Sequence, residues 1–226
     1  MTGLSLEKLQ DLIGYRFENP QLLVEALTHS SFVQEASDGD RDNEQLEFLG
    51  DAVLNFLVSV RLADTFPHLE EGKLSRARAR LVAAEHLGKV AAKLGLGEFL
   101  RLGRGEEKTG GRSKSNLMVN ALEALLAAVY RDGGLEVARR FVEQFVLPGD
   151  LQASADELFS TDYKSALQEY LQGEKAEPAD YRVVDESGPE HQKTFTVEVT
   201  SGDNWVARGS GGSKKAAEQQ AAQFLL

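Results

Sequence analysis

The apolar residues of this chain change their period once, and that change limits its architecture more than any other feature. From Leu4 to about Leu147 they recur at three- and four-residue spacings, as in Leu6 to Ile13, Glu44 to Asp64, Ser75 to Leu94 and Leu117 to Tyr130, which predicts helices and no strand. Gly14, Gly95, Gly97, the Gly133-Gly134 pair and Pro67 mark expected helix ends. Phe99 to Ser115, rich in Gly, Ser and charge, reads as a mobile surface loop. Pro148-Gly149-Asp150 then stops the last helix. Beyond a polar stretch, Asp162 to Gly173 reads as a short helix and Ser213 to Leu226 as an Ala-rich one. Between them Tyr181 and Val183, Phe195, Val197 and Val199, and Trp205 to Arg208 alternate as three antiparallel strands. The expected organisation is multidomain: an all-α domain over 1–148, a linker over 149–160, and an α-β-β-β-α (α+β) domain over 161–226.

Composition narrows the function classes. A chain of 226 residues with 42 % apolar content can bury a core, and with no Cys it has no disulfides, thiolate metal ligands or cysteine nucleophile. No stretch approaches the roughly 20 apolar residues of a membrane helix, and no secretory leader is legible, so a soluble, cytoplasmic protein is expected, with no membrane partner and no small-molecule cofactor. The formal net charge of −11 argues in bulk against a polyanionic partner, which leaves local patches to decide.

Glu44, Glu47 and Asp51 stand at i, i+3 and i+7, so one helix presents three carboxylates on one side, and Asn120 and Glu123 stand three apart on another. The surrounding residues, Leu46, Phe48, Leu49, Val53, Leu54, Phe56 and Leu57, are apolar. Like charges on such a helix repel and resist desolvation. Either they form a solvated stripe, or a divalent cation compensates them, and all-oxygen donors indicate Mg²⁺, with Mn²⁺ as substitute. Gly50, inside the same helix, costs about 1 kcal/mol relative to Ala and signals a close backbone approach.

The run Asn43-Glu44-Gln45-Leu46-Glu47-Phe48-Leu49-Gly50-Asp51-Ala52-Val53-Leu54 resembles the signature of bacterial ribonuclease III over twelve consecutive residues. Ala26-Leu27-Thr28-His29-Ser30, Glu71-Gly72-Lys73-Leu74-Ser75, the basic run Arg76 to Arg80 and the helix Val119 to Ala128 are similar to further family motifs, in order. The resemblance implies a helical, homodimeric endonuclease that hydrolyses double-stranded RNA, in the processing of ribosomal and other precursors. It implies Glu47, Asp51, Asn120 and Glu123 as metal ligands, Glu44 as a supporting acid and Glu71 as an accessory acid near a second metal. Two cations would activate water and stabilise the leaving 3′ oxygen, giving 5′-phosphate and 3′-hydroxyl ends. Phe48 would pack into the partner subunit, although an ordinary core aromatic reads equally well from its sequence context. Asn120 departs from the pattern, since the family carries an aspartate there; the amide keeps a carbonyl oxygen but loses a charge, and the rival reading is a binder with a weakened site.

His29, His68 and His86 are too scattered for a metal cluster and read as structural or surface groups. Arg76, Arg78 and Arg80 read either as a solvated helix end or as phosphate contacts. In the tail, Gly212-Ser213-Lys214-Lys215-Ala216-Ala217-Glu218-Gln219-Gln220-Ala221-Ala222 resembles the helix-opening motif of double-stranded RNA-binding domains. Lysines beside the free N–H groups of a helix start suit phosphate. The resemblance adds Lys164, Gln168 and Glu169 on the first helix and His191 in a turn as minor-groove contacts. Residues 161–226 hold seven Lys and Arg against eleven Asp and Glu, net −4, so RNA affinity must come from one lysine-bearing edge. A protein-interaction module, its acidic helix paired with a partner helix, is the remaining rival, and Lys214-Lys215 speaks against it.

Overall fold

Three short helices, α1 (Leu6–Ile13), α2 (Pro20–Ala26) and α3 (Ser30–Glu35), lead into the long α4 (Glu44–Thr65) in a computed structural model that describes residues 6–36, 39, 41–159, 163–189, 193–202 and 205–226. α2 begins at Pro20, whose missing N–H costs nothing in a first turn, and the Asn19 side chain accepts from Gln21 N at 3.1 Å. Along α4, Leu46, Val53, Leu54, Leu57, Val58 and Leu62 are buried, which is the expected three-four spacing. At roughly 1.5–3 kcal/mol per buried aliphatic side chain, this face anchors the helical unit.

The helix expected over Ser75 to Leu94 is two, α5 (Glu71–Leu81) and α6 (Ala84–Lys93). Ala83 adopts an extended conformation between them, and the bend lets both Leu81 and Leu87 reach the core. Phe99 to Ser115, expected as a mobile loop, is held in turns and the short α7 (Arg104–Lys108). Arg112 Nη1 donates to the carbonyls of Gly97 and Leu100, both at 2.9 Å, while Nε and Nη2 grip the Glu107 carboxylate at 2.7 and 2.8 Å. With these carbonyls satisfied, Leu100 and Leu102 bury against Leu117 and Ala121.

α8 (Ser115–Phe141) extends beyond the expected end at Gly133-Gly134: Gly134, at φ +80°, interrupts the helical path, which then resumes and runs through a π-helical turn, Val142–Val146. The segment expected as a linker over 149–160 belongs largely to this first unit. Leu151 and Leu158 are buried in its core, α9 (Ala155–Leu158) forms there, and Phe159 meets Phe66 edge-on at 4.8 Å. The boundary between the two units falls after Phe159, because apolar side chains hold the chain to the helical core until that point.

The second unit is α10 (Tyr163–Gly173), β1 (Asp180–Ser187), β2 (Thr194–Ser201), β3 (Trp205–Gly211) and α11 (Lys214–Leu225), with an antiparallel sheet in the order β1-β2-β3. Val183 pairs with Val197, Glu198 with Arg208, and the β1 register shifts between Val183 and Asp185. Alternation sends Val197 and Val199 inward to Leu167, Leu171, Ala217, Ala221 and Ala222. The small Ala side chains of α11 let that helix lie close on the sheet, as the composition of the segment predicts.

Candidate functional site

Placement of the first acidic residues begins with Asn43. It is buried, donates its side-chain amide to Ala26 O at 3.2 Å and its backbone N–H to Thr28 O at 2.9 Å, and its carbonyl accepts from Glu47 N at 2.8 Å. The start of α4 is thereby fixed to the segment after α2, and Glu44, Glu47 and Asp51 follow on the helix at their sequence spacing. Asp51 Oδ1 accepts from Asn55 Nδ2 at 2.8 Å, one turn on.

Gly50 brings the second acidic helix to the first. A Cβ on Gly50 would stand 1.9 Å from the backbone oxygen of Glu123, so only glycine permits α4 and α8 to meet there. The result is an open pocket of about 520 Å³ lined by Glu44, Glu47, Phe48, Asp51, Asn120 and Glu123. Every expected acidic-site residue except Glu71 lines it. Glu71 is exposed at the start of α5, where its carboxylate accepts from Ser75 Oγ at 2.6 Å.

The electrostatics of this pocket are those of uncompensated anions. Burial, with Asp51 and Glu47 adding repulsion, pushes the Glu123 carboxyl up to about 7. Burial and Glu44 raise Glu47 as well, against a hydrogen bond from the Asn120 side chain that favours the ionised form. Four carboxylates and one amide form an all-oxygen donor set, which suits a hard divalent cation, and the raised Glu123 marks how much such a charge would relieve. Among the described residues no three His, Cys, Asp or Glu side chains are gathered closely enough to hold a metal as they stand. Mg²⁺ keeps several waters, so its carboxylates need not converge on direct contact.

The arginines after α5 begins are partly structural. Arg78 Nη1 donates to Ser59 Oγ at 3.0 Å and Arg80 Nη1 to Leu158 O at 2.8 Å, while Arg76 is exposed. His86 Nε2 pairs with Val146 O at 2.7 Å, and His29 Nδ1 caps α3 by accepting from Ser31 N at 3.2 Å. Both fit the structural reading.

In the second unit, Lys164, Gln168 and Lys215 line one groove of about 660 Å³ with Tyr181, Glu218 and Gln219, whereas Glu169 and Lys214 lie outside it. His191 lies outside the described residues. Two of the three lysines already have carboxylate partners. Lys164 Nζ sits 2.6 Å from Glu218 Oε2 and 4.4 Å above the Tyr181 ring; Lys214 Nζ sits 3.3 Å from Glu186 Oε1 and 5.6 Å from the Phe195 centroid. Sequence reasoning missed Glu186 and Glu218 because both pairings are made by tertiary packing and leave no local signal. Asn43 was quoted only as part of a motif, and its buried amide is what orders the acids that follow it.

Residues 19–149 match the family described as Ribonuclease-III-like, and residues 163–226 the Double-stranded RNA binding motif. A protein of Solibacter usitatus named Ribonuclease 3 is 50 % identical over 94 % of this chain and 83 % of its own length. One of the same name from Syntrophotalea carbinolica is 45 % identical over 96 % of this chain and 94 % of its own. The crystal structure of the nuclease domain of ribonuclease III from Campylobacter jejuni superposes with a TM-score of 0.58 at 38 % identity, covering 65 % of this chain and 95 % of that one. A second structure of that domain, described for flexibility in a region involved in dimer formation, gives 0.57 at 39 % identity over 62 % of this chain and 98 % of that one.

Proposed function

This chain belongs to the ribonuclease III family, as an endoribonuclease with a double-stranded RNA-binding motif, and from that premise we propose how its own residues cut duplex RNA. The family depends on divalent metal, and in this chain Glu47, Asp51, Asn120 and Glu123 would hold Mg²⁺, or Mn²⁺ in its place, with Glu44 in support. When bound, the cations supply Lewis acidity to the attacking water and the leaving 3′ oxygen, so that the ends are 5′-phosphate and 3′-hydroxyl. The amide of Asn120, donating to Glu47, works against the burial and the Glu44 charge that raise that carboxyl, and orients it in the pocket. Asn55, donating to Asp51 Oδ1 at 2.8 Å, holds that side chain in place, and Gly50 sets the distance between the two acidic helices. Glu71 lies outside the pocket at the start of α5, and its part would be that of an accessory acid near a second metal. The meeting of α4 and α8 at Gly50, which lines one pocket with acids from both helices, is the observation that carries this reading.

A second copy completes the site. Phe48, Ala52, Phe56 and Val60 form an exposed stripe at four-residue spacing on α4, and Phe48 is 81 % exposed while also edging the acidic pocket. A homodimer buries this stripe and closes one wall of each pocket. No helix among the described residues is long and apolar enough to cross a membrane, and processing of RNA precursors in the cytoplasm is the setting of this reading. The rival of a binder disabled at Asn120 is not favoured, because relatives 45–50 % identical over nearly the whole chain are named Ribonuclease 3.

Cleavage of long duplex RNA with Mg²⁺, run against a single-stranded control and against Glu123→Gln, tests the reading. Duplex-selective, Mg²⁺-dependent cutting that falls by at least a hundredfold in the variant is expected. Cutting that survives unchanged in Glu123→Gln would overturn the assignment of the pocket.

A further inference from the structure

One carboxylate near the end of β1 faces two cations. Glu186 Oε1 lies 3.3 Å from Lys214 Nζ at the start of α11, and its Oε2 lies 3.9 Å from Lys193 Nζ beside the start of β2. All three side chains are about half exposed, so a phosphate could reach either lysine from solvent. A lysine ammonium is a compact charge with three rotatable donors and no preferred plane, and it exchanges one oxyanion for another at little geometric cost. RNA phosphate and the Glu186 carboxylate are therefore alternative partners for the same two side chains. The acid also stands where an incoming phosphate would stand, and repels it. In a unit whose sequence carries net −4, this removes a large share of a small positive edge.

We propose that Glu186 is an intramolecular competitor of RNA phosphate at the Lys193–Lys214 edge and that it sets the duplex affinity of the C-terminal unit. The proposal rests on the RNA-binding reading of that unit. Glu218 plays a different part: its contact with Lys164 is less exposed, ties α10 to α11 and is backed by the Tyr181 ring, so it holds the fold together. Exposed ion pairs are weak, which places the effect of releasing the lysines and removing one repelling charge at about threefold to tenfold.

The test is binding of a duplex of about 20 base pairs to the full-length protein without divalent cation, titrated across salt concentrations. Glu186→Gln should tighten binding about threefold to tenfold and steepen its salt dependence, because two unpaired lysines then displace counterions. Glu174→Gln, an exposed acid at the end of α10, should change affinity less than about twofold. In a Lys193→Ala/Lys214→Ala background, Glu186→Gln should lose most of its effect. Two results overturn the proposal while leaving the RNA reading intact: Glu186→Gln no tighter than wild type although the lysine variant is weaker, or a gain that Glu174→Gln reproduces. Weaker binding by Glu186→Gln would show instead that the acid positions Lys214 for RNA. Absence of duplex binding by the wild type at low salt would overturn the RNA reading, and the proposal with it.

Discussion

Gly50 of α4 and Glu123 of α8 are in backbone contact: a methyl group on Gly50 would overlap the Glu123 carbonyl, with 1.9 Å between Cβ and oxygen. Two opposed effects then decide the fate of Gly50→Ala. Ala gains about 1 kcal/mol of helix propensity over Gly. The overlap involves rigid backbone on both sides and forces the helices apart, at about 1–3 kcal/mol or more. The expected net result in urea unfolding is a loss of about 0–2 kcal/mol or more, with Mg²⁺-dependent cleavage reduced more than tenfold as the two sets of acids separate. A variant more stable than wild type would mean that α8 yields without cost.

The pH dependence follows from Glu123, whose carboxyl stands at about 7 against an ordinary 4.5. The folded state binds its proton more tightly than the unfolded state, so the metal-free protein should lose stability as pH rises from about 4.5 to about 7, and stay low above that. The full shift would correspond to about 3 kcal/mol, and solvent screening at this half-buried group reduces it to roughly 1–2 kcal/mol. Glu123→Gln should flatten this part of the profile in thermal melts at pH 5 to 8. For the same reason, Mg²⁺ should raise the melting temperature more at pH 8 than at pH 5.5, where it competes with a proton. Parallel profiles for the two proteins would place the cost elsewhere.

How much of this was legible in the sequence depends on the range of the interaction. The acids of α4 obey helical spacing, and Gly50 announces a close approach, so the pocket could be anticipated almost residue by residue. Val197 and Val199 alternate as a strand facing a core should. The segment 99–115 misled because its Gly, Ser and charge look like a loop, whereas Arg112 satisfies its carbonyls from within and lets Leu100 and Leu102 bury. The supposed linker misled in the same way, since Leu151 and Leu158 are isolated apolar residues whose partners lie far off in sequence. The phosphate role expected of Lys214 and the minor-groove role expected of Lys164 take no account of Glu186 and Glu218, because nothing local to either lysine announces those acids.

The exposed stripe on α4 predicts the assembly. Phe48→Asp puts a charge in the centre of the surface that a second copy would cover, and should convert a dimer to a monomer at micromolar concentration, as read by sedimentation. Cleavage should fall with it, since each pocket loses a wall. A wild type that sediments as a monomer would remove this face from the assembly.

The last prediction concerns Asn120, where the resemblance to the family implies an aspartate. Asn120 donates to Glu47 in a pocket where Glu44, Glu47, Asp51 and Glu123 already repel one another. Asn120→Asp therefore does two things at once. Without metal it removes a donor and adds a fifth carboxylate, so the protein should melt lower at neutral pH than the wild type. With metal it offers anionic oxygen to a hard cation, and alteration of even the outer partners of metal ligands shifts affinity by about 10–100-fold. The Mg²⁺ concentration giving half-maximal cleavage should fall about tenfold or more, and the Mg²⁺-dependent rise in melting temperature should grow, while duplex affinity without metal stays the same. The opposite signs of the two stability changes separate a ligand from a bystander. Equal Mg²⁺ dependence in both assays would show that position 120 only braces Glu47, and the cation would then be held by Glu44, Glu47, Asp51 and Glu123 alone.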